Sequence, residues 1–209
     1  MSHKQPDVHA AYALKTPEDS KRLYADWADS YDRSFAEDKK YLMPRHVAAL
    51  FAHHDGTGPA FDAGAGTGLV AEAILSHGPC DIDGFDITAE MLEVAKKKGV
   101  YRRTIQGDLT KPLPFADDTY AAIVSAGTFT HGHVGPEALD ELLRIARPGA
   151  LFILTIKKDH FTDRGFAKKF DSLSEQISAF ETVVLPIYEV APEGGESDDQ
   201  GLVAIFRKT

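Results

Sequence analysis

The sequence predicts an α/β protein with a mostly parallel sheet covered by helices on both faces, and three observations carry that prediction. From Ala60 onward, short apolar strands alternate with stretches of helical periodicity, the order that strand-helix-strand crossovers produce. The first strand runs directly into Asp62-Ala63-Gly64-Ala65-Gly66-Thr67-Gly68, where alternating glycines let the chain turn sharply from strand to helix. The alternation closes with two consecutive strand patterns, a terminal hairpin. A chain of 209 residues, 43% hydrophobic and 26% charged, is long enough to bury roughly 70% of its unfolded surface, so one domain over 1–209 is the economical reading.

The first helix opens with Thr16 as cap, Pro17 at its first position, and Glu18 and Asp19 in the first turn. Leu23, Trp27 and Tyr31, with Tyr24 beside Leu23, then recur at helical spacing and predict an amphipathic lid. A second helix follows around Pro44 to Phe51. The break at His53-His54-Asp55-Gly56-Thr57-Gly58-Pro59 separates a helical cap, residues 1–55, from a core, residues 56–209.

Strand one is read as Ala60 to Ala63 and its helix as Leu69 to Ser76. Strand two is Asp81 to Asp86, followed by a helix from Ala89 to Lys98 that Thr88 caps. Strand three is about Tyr101 to Gln106, and strand four is Tyr120 to Ser125. The next helix has a Pro136 start, a stripe of Leu139, Leu142, Leu143 and Ala146, and an Arg147-Pro148-Gly149 stop. Strand five is Ala150 to Ile156. Phe166, Phe170 and Leu173 mark one more helix, and Glu181 to Val190 with Leu202 to Arg207 form the hairpin.

Composition narrows the function. A net charge of −9 disfavours a polyanion partner, since phosphate binding draws on clustered Lys and Arg, so no nucleic-acid partner is expected. Lys96-Lys97-Lys98 with Arg102-Arg103, and Lys157-Lys158, read as a solvated helix end and a strand rim. Met1 to Ala13 contain no apolar signal core, and no later run approaches the roughly 20 apolar residues of a membrane span, so a cytoplasmic protein without membrane contact is expected. A single cysteine, Cys80, rules out an internal disulfide and suits a reducing compartment.

The spacing of the turn is G-x-G-x-G. The dinucleotide fingerprint needs a further glycine at position 69, where this chain has Leu69, which weakens a nicotinamide or flavin reading. The acidic-x-Gly-x-Gly-x-Gly pattern of Asp62, Gly64, Gly66 and Gly68 instead resembles the first motif of the class I S-adenosylmethionine-dependent methyltransferases. The segment Gly127-Thr128-Phe129-Thr130-His131-Gly132-His133-Val134-Gly135, with Trp27 to Asp32 near the cap, looks like a small stand-alone branch that includes the methyltransferase-like protein of the Williams-Beuren region. The resemblance implies a Rossmann-like three-layer sandwich whose seven-stranded sheet has the order 3-2-1-4-5-7-6 with strand seven antiparallel. It also implies S-adenosyl-L-methionine as cofactor and S-adenosyl-L-homocysteine as product.

An open α/β sheet binds its ligand beyond the carboxyl ends of its strands, and the candidate residues sit there. Asp62, ending strand one, is expected to accept from the methionyl ammonium, with Gly64, Ala65 and Gly66 offering main chain to the carboxylate. Asp86, ending strand two, is expected to accept from both ribose hydroxyls, and Ile87 or Met91 to cover the adenine; the competing reading of Asp86 is a helix cap. Asp108 and Leu109 end strand three and suit the adenine amino group and a ring nitrogen. Ser125 and Ala126 pass beside the methionyl group, and Tyr31 is carried over on resemblance as a contact to the cofactor carboxylate.

Methyl transfer from a sulfonium is an in-line displacement in which alignment matters most, so few catalytic side chains are required. For an acceptor that must lose a proton, His131 is the first candidate base and His133 the second; the alternative is that either merely lines the pocket. Their His-x-His spacing lacks a cysteine or acidic partner for a metal. Tyr24 and Trp27 either line the acceptor pocket or pack as core. A small-molecule acceptor and a monomer or homodimer are expected. A nicotinamide oxidoreductase, a cofactor-binding module without turnover, and a nucleic-acid methyltransferase are the rival readings.

Overall fold

The structure, a computed structural model, describes residues 17–28, 30–37, 40–129, 134–189 and 200–209, without the side chains of Pro17, Ser20 and Phe35. Helix α1 spans Pro17–Trp27, followed by a short π-helix, Asp32–Glu37, and helix α2, Met43–His53. Strand β1 (Ala60–Ala63), α3 (Leu69–Leu75), β2 (Ile82–Asp86), α4 (Ala89–Lys98) and β3 (Arg103–Gln106) come next. Strand β4 (Tyr120–Phe129), α5 (Ala138–Ile145), β5 (Ala146–Lys157), α6 (Lys158–Asp163) and α7 (Phe166–Ser172) precede the hairpin of β6 (Ile177–Pro186) and β7 (Gln200–Lys208). None of the described helices is long and apolar enough to cross a membrane.

The seven strands form one sheet in the order β3-β2-β1-β4-β5-β7-β6. β1 pairs in parallel with β2 and with β4, and β5 pairs in parallel with β4, whereas β7 runs antiparallel between β5 and β6. The order expected from the resemblance is the order found. All four residues of β1 are buried, as a central strand covered on both faces requires. Phe61, Phe85, Phe129, Leu139 and Leu142 fill one face of the sheet; Val47, Ala48, Phe51, Val70, Ile74 and Val203 fill the other.

That second cluster alters the expected division at His53. Helix α2 buries Met43, Val47 and Phe51, one turn apart, with Pro44 and Ala48 beside them, so it is a core layer. Strand β4 runs four residues beyond the expected Ser125 because, after a shift in register, Phe129 pairs with Ile156. β5 begins at Ala146, four residues early: Pro148 cannot continue a helix, and the extended Ala146 pairs with Tyr120. β6 begins at Ile177, with a bulge between Ser178 and Glu181 where Ala179 takes φ +52°.

At the far end of the sheet from the strand tips, Arg102 and Arg103 are not free solvated cations. Both grip Asp83, whose buried carboxylate accepts from Arg102 at 2.9 Å, Arg103 at 2.8 Å and the Tyr120 hydroxyl at 2.8 Å. Burial pushes that carboxyl upward, and these bonds hold it below its ordinary value.

Candidate functional site

The chain reverses its direction of travel across the sheet at β1, leaving a crevice beyond the carboxyl ends of β1, β2, β3 and β4. A cavity with about 940 Å³ of empty space, its open mouth included, lies there. Its floor is the glycine turn. Gly64 has φ +81°, and a Cβ there would sit 1.9 Å from the Thr128 hydroxyl, so strand β4 approaches too closely for any other residue. Gly66, at φ +50°, has open space where a Cβ would point, while the amides of Gly64 and Ala65, expected to face a ligand carboxylate, donate to the Phe85 carbonyl at 2.8 and 3.0 Å. Gly68, at φ +91°, starts α3.

Asp86 stands at the tip of β2. Its Oδ2 accepts from the Gly66 amide at 2.9 Å and its Oδ1 from the Thr88 amide at 2.8 Å, so it both fixes the glycine turn and caps α4. The side chain lines the cavity. Burial raises its pKa, against the lowering effect of the Thr88 and Gly66 amides, the Thr88 hydroxyl and the Ile87 amide. The Thr88 side chain does not cap α4; its hydroxyl lies buried at the cavity wall, beside the Asp86 carboxylate. Asp108, at the tip of β3, accepts through Oδ1 from the amide and hydroxyl of Thr110, at 2.8 and 2.7 Å. Ile87, Met91 and Leu109 supply apolar wall between the two carboxylates.

The N-terminal segment contributes to the cavity wall. Tyr24 and Tyr31 line the cavity and pack with Trp27, whose ring meets Tyr31 edge-on at 5.1 Å. Burial drives the Tyr31 hydroxyl well above its ordinary pKa. The segment is tied to the turn: the Thr67 hydroxyl donates to Asp32 at 2.5 Å, and Lys98 bridges Asp32 and Glu72 at 2.6 Å each.

Of the expected site residues, Tyr31, Gly64, Ala65, Gly66, Asp86, Ile87, Met91, Asp108, Leu109 and Ala126 come together around this one cavity. Asp62 does not reach it. Its side chain turns into the core beneath the turn, accepting from the Tyr101 hydroxyl at 2.6 Å, while Oδ1 has no partner among the described residues. Burial lifts its pKa to about 7, the Tyr101 bond opposing and Asp86 adding to the rise. Ser125 is also turned inward, donating to the Ala63 carbonyl at 2.6 Å. Residues 130–133, with His131 and His133, lie outside the described residues.

Not expected from the sequence as lining are Tyr41, Pro44, Thr67, Leu69, Val70, Thr88 and Val134. Thr67 stands inside the glycine turn and was in reach. Tyr41 carries no local signal; it enters because Gly127, at φ +88°, leaves room for its hydroxyl 3.0 Å from where a Cβ would be.

Residues 61–154 match the family model described as Methyltransferase domain. The chain is 31% identical over 156 residues to human Methyltransferase-like protein 27, the Williams-Beuren region protein, covering 72% of this chain and 62% of that one. It is 33% identical over 132 residues to the malonyl-[acyl-carrier protein] O-methyltransferase of Pectobacterium atrosepticum, covering 63% and 50%. The chain thus spans between half and about three fifths of these relatives' own length. Among solved structures, magnesium protoporphyrin IX methyltransferase from Synechocystis PCC 6803 with bound SAM superposes with TM-score 0.68 at 15% identity, over 93% of this chain and 98% of that one, a likeness of fold.

Proposed function

We propose that this chain, whose residues 61–154 match the methyltransferase-domain model, belongs to that family and transfers a methyl group from S-adenosylmethionine to a small-molecule acceptor by in-line displacement. The observation that carries the reading is the character of the cavity. It is lined by two carboxylates, Asp86 and Asp108, and by the glycine turn, with no Lys or Arg among its described lining residues. Such a wall repels a pyrophosphate and favours a ligand carrying ammonium and sulfonium charges, which weighs against a nicotinamide dinucleotide.

In this reading Asp86 accepts from the ribose hydroxyls, and Asp108 with Leu109 takes the adenine edge between Ile87 and Met91. The turn at Gly64 to Gly66, with Tyr31 above it, holds the methionyl end. The bound cofactor supplies an activated methyl carbon on a positively charged sulfur. The chain's own part is to align the acceptor and exclude water: Tyr24, Tyr31, Tyr41 and Pro44 roof the cavity, and Gly127 and Thr128 border it from β4. For an acceptor that must lose a proton, His131, and after it His133, is assigned the base role on sequence grounds.

A screen of thiols, amines, phenols and carboxylates for S-adenosylhomocysteine release tests the reaction. Turnover with at least one class is expected. Release at the rate of a blank, from protein that binds the cofactor, would leave a binding module without turnover.

A further inference from the structure

Strand β6 ends the sheet, and its outer edge pairs with no described strand. Edge strands invite pairing with another chain and are ordinarily guarded by lysine, by proline, or by charges along the edge. Between Phe180 and Leu185 this one has neither Lys nor Pro, and its sole ionisable residue is Glu181. Phe180 and Val184, at 41% and 44% exposure, are the exposed large hydrophobics among the described residues, and both belong to this strand.

Their placement is symmetric. Phe180 lies against Phe170 and Phe206, Thr182 pairs with Ala204, and Val184 pairs with Leu202; Phe170, Phe206, Ala204 and Leu202 all belong to the same core cluster. Phe180, Thr182 and Val184 therefore share one face, with Thr182 midway between the two hydrophobics. The bulge at Ala179, φ +52°, and Pro186 interrupt the strand on either side of this segment.

We propose that β6 is a self-pairing edge, at which two copies of this chain join antiparallel about a two-fold axis at Thr182 and continue the sheet across a homodimer. In that register Phe180 of each copy faces Val184 of the other, so both exposed hydrophobics are covered at once. Glu181 falls opposite Val183 on the other face, where its carboxylate already meets His54 at 3.6 Å, so no like charges stand directly opposed. A second copy is thus the occupant whose pattern complements this edge.

The test is sedimentation of the full chain over a concentration series, with disulfide trapping. The wild type is expected to shift from 22.8 kDa toward twice that mass as concentration rises, and Val184→Lys to weaken association at least tenfold. Thr182→Cys places two sulfurs on the axis, where opposed Cα atoms are about 4.5–5.5 Å apart, inside the disulfide range. It is expected to form a linked dimer on mild oxidation. Phe180→Cys, whose two copies would stand roughly 14 Å apart along the strands, is expected not to, and the wild type with Cys80 alone is the control. A wild type that stays monomeric at several hundred micromolar overturns the proposal. So does a dimer that Val184→Lys leaves intact, or one that Thr182→Cys fails to trap.

Discussion

Gly64→Ala tests whether the glycine turn is shaped by the strand behind it. The new methyl would start 1.9 Å from the Thr128 hydroxyl oxygen, on a residue held at φ +81°. The left-handed backbone costs about 1–2 kcal/mol for a residue with a Cβ. Displacing Thr128 forfeits its 2.8 Å bond to the Ala63 carbonyl, worth about 1 kcal/mol, and crowding adds about 1–3 kcal/mol. The expected loss is about 4 kcal/mol, which for a chain of this length lowers Tm by roughly 8–16 °C. Denaturant unfolding of the single variants and of Gly64→Ala/Thr128→Ala gives the decisive cycle. With the hydroxyl removed, the nearest remaining atom is the Thr128 Cβ at 3.0 Å, so the double variant should lose about 1–3 kcal/mol less than the sum of the singles. Additive losses, or a loss below about 1 kcal/mol in Gly64→Ala, would refute the steric account.

Asp62 should make stability depend on pH. Its folded pKa, about 7, lies above the unfolded carboxyl value, so its contribution is complete below about pH 4 and disappears as pH rises through 7. Asp62→Asn keeps an acceptor for Tyr101 and cannot ionise; on going from pH 5 to pH 8 the wild type should lose on the order of 3 kcal/mol relative to it. Parallel pH curves for the two would show that Asp62 titrates normally. Asp32→Ala removes the Thr67 and Lys98 links of the N-terminal segment, and faster limited proteolysis within 17–37 is expected, with ligand affinity weakened several-fold; unchanged cleavage would disconnect the lid from the turn. His131→Ala should lower turnover more than cofactor affinity when the acceptor must be deprotonated, and an unaltered pH–rate profile would reduce it to a wall residue.

Much of the fold was legible because its signals are local. β1 spans Ala60–Ala63 and α4 Ala89–Lys98, the bounds that alternation and Thr88 mark in the sequence. The misplaced boundaries are those set by partners far along the chain: β4 is prolonged by Ile156, and α2 is drawn into the core by β1 and β5. In the site, Asp86 and Asp108 follow from their position at strand ends. Asp62 misled because side chains alternate along a strand: Phe61 and Ala63 belong to one core face, so Asp62 points to the other, where Tyr101 meets it across 39 residues. Ser125 is turned in by its bond to Ala63, and Tyr41 is brought in only by the room at Gly127, neither of which leaves a trace in spacing.

Titration calorimetry with S-adenosylhomocysteine and, separately, NAD tests the central claim most directly, on the wild type, Asp86→Ala and Asp62→Asn. The cavity as described predicts one equivalent of S-adenosylhomocysteine bound in the micromolar range, at least tenfold weaker binding in Asp86→Ala, near wild-type affinity in Asp62→Asn, and no heat with NAD. Binding of NAD in place of the adenosyl ligand, or equal affinity in the wild type and Asp86→Ala, would contradict it.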